Sequence, residues 1–112
     1  MNIDWYKELE VAVTICNREG QIIYMNDRSA HMFEDDGGYN LMGQNLLDCH
    51  PGLSNDKVKD LLDNPRTNCY TIERQGKRKL IYQMPWSENG VVGGLLEIVL
   101  PLPEEIPHFL RK

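Results

Sequence analysis

Paired cysteines, a leader segment and long apolar runs are all missing from this sequence. Its three cysteines, Cys16, Cys49 and Cys69, are odd in number and show no CxxC spacing. That excludes a disulfide framework and suits a reducing compartment. The opening MNIDWYKELE has neither the basic start nor the apolar core of a signal peptide. No apolar stretch approaches the roughly 20 residues of a membrane-spanning helix. We therefore expect a cytoplasmic protein without a membrane partner. Basic charge is scarce too. Twelve Lys and Arg against 17 Asp and Glu leave a net charge of −5, which argues against a phosphate-binding surface. The one dense basic run, RQGKRK at residues 74–79, falls where a hairpin turn is expected and reads as solvated charge guarding strand ends. No nucleic-acid partner is expected.

What is present is an ordinary globular composition, 41% hydrophobic and 26% charged over 112 residues, enough for one small domain with one modest core. Residues 1–10 place Ile3, Tyr6 and Leu9 on one side of a possible helix, capped by Asn2 or Asp4. So short a stripe needs a packing partner, either its own sheet or a second subunit. VAVTICN and QIIYMN are β-rich runs joined through Gly20, and DRSAHMFED reads as a short helix capped by Asn26 or Asp27. A further short helix follows Pro51, with Val58, Leu61 and Leu62 on its apolar face. The last third reads as three strands. Gln75-Gly76 and Asn89-Gly90 mark the turns, Gly93-Gly94 a bulge or close backbone approach, and Pro85 an edge or bulge position. Strands pairing as hairpins around central helices predict an α+β fold, an antiparallel sheet of about five strands with short helices on one face.

This order resembles the PAS domain, a small sensor fold of signalling proteins. NREGQIIYMNDRSAHMF looks like the family's opening hairpin, LMGQNLLD like the recurring stretch of its central helices, and GLLEIVLPL like its last strand. The resemblance covers residues 11–102, leaving 1–10 as a dimerisation candidate and 103–112 as a tail. LLDCHPGLS, YTIERQGKRKLIYQMPW and PEEIPHFLRK further resemble short, stand-alone bacterial PAS proteins, which implies a chain close to full length. The resemblance implies a sensory module that holds a small ligand, or nothing, between sheet and helices. It also implies a homodimer and a partner protein that reads the conformational shift.

The residues expected to line that space are Phe33, Leu46, Val58, Leu62, Tyr82 and Leu96, with Cys49 and His50 as polar contacts. Three readings of Cys49-His50-Pro51 stay open: a haem site with His50 or Cys49 as axial ligand, a redox-sensitive thiol, or a loop that only opens a helix. The flavin–thiol adduct of photosensing relatives is excluded on this alignment, because GQNLLD puts Leu46 where their cysteine stands. Plain flavin binding loses support for the same reason. A zinc site would need Cys16, Cys69, His31 and His108 to converge from separate elements. A Cys–His nucleophile would need an orienting third group, and adjacent residues seldom reach one another, so no catalysis is expected. The methionines with Tyr24, Tyr82 and Trp86 read as plain core or as an adaptable pocket lining. The ligand itself stays unknown. The rival to ligand sensing is a filled PAS core serving only to dimerise or dock.

Overall fold

The computed structural model describes residues 3–49 and 53–112, the side chains of residues 49 and 53–55 excepted. Strands β1 (Ala12–Asn17) and β2 (Ile22–Met25) come first, followed by helix α1 (Asp27–Met32) and two 3-10 turns, Glu34–Asp36 and Gly38–Leu41. Helices α2 (Leu46–Cys49) and α3 (Leu53–Asp63) lead into β3 (Asn68–Arg74), β4 (Lys77–Glu88) and β5 (Val91–Pro101). The strands form one antiparallel sheet in the order β2-β1-β5-β4-β3. This is the α+β architecture expected from the sequence.

Turn chemistry explains the hairpins. Gln75 and Gly76 have φ of 54° and 77°, and Asn89 and Gly90 have 53° and 81°. Two successive left-handed residues give the twist that a tight two-residue hairpin requires. Pro85 pairs with Leu95 of β5 beyond the last β3–β4 pair, Asn68 with Gln83, so it lies where β4 is an edge. A register shift follows at Trp86/Ser87. Gly94 permits close approach of β1 and β5, since a Cβ there would lie 2.0 Å from the Cys16 carbonyl oxygen. Trp86 lies over Gly93 and donates from Nε1 to that same carbonyl at 2.9 Å.

The N-terminal segment departs from expectation. Residues 5–8 form a turn, not a helix, with the Lys7 amide donating to Asp4 at 3.1 Å. The reason is competition for carbonyls. The Asn26 side chain donates to the Tyr6 oxygen at 2.9 Å, and the Asp27 amide donates to the Lys7 oxygen at 2.9 Å. The isolated stripe had little helical stability to oppose this. Tyr6 packs edge-to-face on Tyr24 at 5.2 Å between ring centroids. At the other end, Leu102 donates to the Arg78 oxygen at 2.9 Å, and beyond it Ile106, Phe109 and Leu110 are exposed. The docking expected of Ile106 and Phe109 is not made within the chain.

Strand alternation divides the sheet into two faces. The inner face carries the helices and three apolar clusters. Cys16, Leu61, Leu62 and Leu95 form one, Ala12, Ile81 and Val99 a second, and Ile22, Met25 and Leu41 a third. Among the described residues no helix is long and apolar enough to cross a membrane.

Candidate functional site

Between the inner face and the helices lies an open cavity of about 930 Å³. Its walls are apolar where α1, α2 and α3 face it through Met32, Phe33, Leu46 and Val58. The floor is banded. Cys16 and Leu95 are cross-strand partners at one side, and Tyr70, Ile81 and Val99 make a second apolar band at the other. Between the two bands runs a polar row, because Asn68 pairs with Gln83, Gln83 with Glu97, and Glu97 with Thr14 in register.

Hydrogen bonds join the row in two parts, Asn68–Gln83–Glu97 and Thr14–Ser29. Asn68 Nδ2 donates to Gln83 Oε1 at 2.8 Å, and Gln83 Nε2 donates to Glu97 Oε2 at 2.7 Å. Thr14 and Ser29 hydroxyls share a bond of 2.5 Å, which carries the row onto α1. Gln83, Thr14 and Ser29 are buried. A polar strip of this kind interrupts apolar packing and needs every partner it can find, since an unpaired buried polar group costs about 1–3 kcal/mol.

Helix α1 in turn depends on Asn26, which is fully buried. Its Oδ1 accepts from the Ser29 amide at 3.0 Å, as an N-cap does, and from the Val13 amide at 2.9 Å. Its Nδ2 donates to Tyr6 and to Val11 at 2.8 Å for the latter. One amide thus joins the helix, the sheet and the N-terminal segment. A surface cluster braces the same corner. Tyr39 donates to Asp27, and Lys7 pairs with Asp27 at 3.1 Å, so that both hold the Asp27 carboxyl below the usual carboxylate range.

The structure distributes the expected site residues unevenly. Phe33, Leu46 and Val58 line the cavity. Leu62 is packed behind it with Cys16 and Leu61. Tyr82 and Leu96 are on the opposite face of the sheet, a correction that alternation explains. Ile81 and Gln83, Leu95 and Glu97 point inward, so their neighbours point out. His50 and Pro51 lie outside the described residues, and Cys49 contributes its backbone to α2 with its side chain outside them. His31 is exposed on α1 and contacts Glu34 at 3.2 Å, while His108 belongs to the exposed tail. Cys16 is buried on the inner face, and burial pushes its thiol pKa up. Cys69 is exposed and pairs with outward-facing Tyr82. The convergence that zinc requires is therefore not made; among the described residues no three His, Cys, Asp or Glu side chains gather around a common point.

Sequence reasoning missed Asn68, Gln83, Glu97, Thr14 and Ser29. The available signal was a polar side chain at an inward position of a central strand, Gln83 between Ile81 and Pro85. The expectation that Tyr82 and Leu96 line the cavity took the opposite parity of β4 and β5.

No protein-family model matches the chain, and no curated protein matches it. Solved structures do. The PAS domain of the histidine kinase ThkA superposes with a TM-score of 0.65 at 15% identity, covering 82% of this chain and 99% of that one. A Vibrio cholerae receptor, Aer2, described as a dual PAS-heme oxygen sensor, gives 0.58 at 15% identity over 83% and 95%. The sensor region of a sensor histidine kinase gives 0.59 at 17% identity over 80% of this chain, which spans only 38% of that one. The chain has the PAS fold. Its neighbours with that fold include sensory domains of kinases and receptors.

Proposed function

We propose that this chain is a non-enzymatic sensory module whose cavity takes a small molecule and whose response is a shift between packed conformations. One observation carries the reading: a partly buried polar row divides the apolar core at the floor of an open cavity of about 930 Å³. A core evolved only for stability gains nothing from such a division, whereas a binding floor uses polar groups to orient a ligand.

The row also suggests the path of the response. A ligand that engages Glu97 or Gln83 alters their neighbour Thr14, and through Ser29 the tilt of α1. Asn26 converts that tilt into a change at Tyr6 and Val11. The N-terminal segment is thus the output, read by a second copy or by a partner protein across the outer sheet face. That face presents partly exposed Tyr82, Leu96, Ile98 and Leu100. Homodimerisation there, cytoplasmic residence and a redox or haem role for Cys49-His50 belong to the same proposal. The reading that competes is a ligand-free docking module, favoured by the exposure of Ile106, Phe109 and Leu110.

Native mass spectrometry of the full chain, purified without refolding, separates the two. The sensor reading expects a bound small-molecule mass, lost on denaturation. Bare protein at monomer or dimer mass in every preparation, with no gain on incubation with a cell metabolite extract, would sink it in favour of docking.

A further inference from the structure

An apolar sheet face and an apolar tail, each without a partner of its own, belong to the same chain. We propose that they meet in trans: residues 103–112 of one copy lie across the outer face of β4 and β5 in a second copy, which returns the same contact. The inference rests on the reading of the outer face as a docking surface and does not involve the cavity.

Register defines the face. Leu80 pairs with Leu100, Tyr82 with Ile98 and Met84 with Leu96, and alternation brings all six side chains to the side away from the helices. Five of them are half-buried and Tyr82 is exposed. Toward β2 the chain covers this face itself, where Tyr6 packs on Tyr24. The tail is the complementary piece. Ile106, Phe109 and Leu110 are 57%, 67% and 91% exposed, between Glu104-Glu105 and Arg111-Lys112. Single exposed apolar residues are ordinary, but three within five residues, flanked by charge, have the pattern of an anchor with a polar rim.

Backbone chemistry selects the seat. Pro103 and Pro107 lack the amides that an added strand needs, so the tail suits side-chain docking on a face better than pairing with the free edge of β3. Leu102 still donates to the Arg78 oxygen at 2.9 Å, so the chain leaves along the line of β5. Pro101 and Pro103 on either side of it resist the reversal that would fold the tail onto its own face. Ten extended residues reach about 33 Å, enough to cross all five strands at about 4.8 Å apart.

Area argues for a reciprocal pair. With a large side chain offering roughly 150–250 Å² when fully exposed, one tail on one face buries about 700 Å² in all, no more than a crystal-packing contact. Two such contacts related by a two-fold axis bury about 1,400 Å², within the range of stable, specific interfaces.

Sedimentation equilibrium on the full chain is the test, with the double substitution Phe109→Asp, Leu110→Asp breaking the tail and Tyr82→Glu breaking the face. All three side chains are exposed, so the fold is kept. A dimer is expected, weakened at least about tenfold by either change, the least that loss of an interface anchor costs. Mixed in equal amounts, the two variants should associate more tightly than either does alone, because the intact tail of one finds the intact face of the other. A dimer unmoved by the tail substitutions overturns the proposal, as does a mixture no tighter than its components. If Tyr82→Glu alone dissociates the dimer, the outer-face reading stands without the tail. A chain that stays monomeric at every concentration refutes both.

Discussion

At the β2–β1 end of the sheet, Asn26 is fully buried and spends both ends of its amide on four backbone groups. At the β3 end, every residue from Cys69 to Arg74 is exposed, and the inner face looks onto an open cavity. The same sheet thus holds a tightly specified corner and a loosely covered one. The difference predicts that stability resides where helix, strand and N-terminal segment converge, and that the bare end opens more readily. Regions poor in buried contacts are the ones that open at low free-energy cost.

Substitutions at the tight end should do the most damage. Gly94→Ala forces a Cβ against the Cys16 carbonyl oxygen, and we expect a loss of about 3 kcal/mol or more, the upper range for overpacking. The midpoint of urea unfolding measures it; a loss under about 1 kcal/mol would show that β1 and β5 can part cheaply. Next in size is Asn26→Ala, which removes an N-cap and strands buried backbone groups, at a cost of about 2–4 kcal/mol. It should also detach the N-terminal segment, visible as faster proteolysis near Tyr6. Trp86→Phe keeps the ring over Gly93 but loses the bond to Cys16, a cost of about 1 kcal/mol. At the loose end, Ile72→Ala should change stability by no more than about 0.5 kcal/mol, since the side chain is exposed. If its cost matched that of Asn26→Ala, the contrast between the two ends would be wrong.

The smallest effect is electrostatic. Tyr39 and then Lys7 hold Asp27 below its ordinary pKa. The unfolded chain takes up this proton more readily than the folded one, so the contribution is complete above about pH 4 and is lost as pH falls through the folded value. Both partners are surface groups, and screening keeps the effect small. Asp27→Asn should flatten the acid limb of the stability profile and leave neutral pH nearly unchanged. An unaltered acid limb would remove Asp27 from the account.

Local signals carried much of the fold. Asn89-Gly90 and Gln75-Gly76 adopt the left-handed pairs their composition suggested, and Asn26, one of the two expected caps, caps α1. Pattern alone misled at β4. Leu80, Tyr82, Met84 and Trp86 form its more apolar parity, yet Ile81 and Gln83 face the helices. The inward parity looks polar because it borders a cavity, and the outward one, apolar as a core would be, is only partly buried or exposed. The polar row was illegible for another reason. Asn68, Gln83 and Glu97 stand 14 or 15 residues apart, and only strand register aligns them. Likewise the turn at residues 5–8 depends on Asn26 and Asp27 taking carbonyls from a distant segment, which local propensity does not contain.

Hydrogen exchange read by mass spectrometry on the full chain tests the division of labour most directly. Amides of β1 and β5 should exchange only through global unfolding, while those of β3 should exchange orders of magnitude faster under native conditions. Protection of β3 equal to that of β1 would contradict it, and with it the idea that one end of this sheet is held ready to respond.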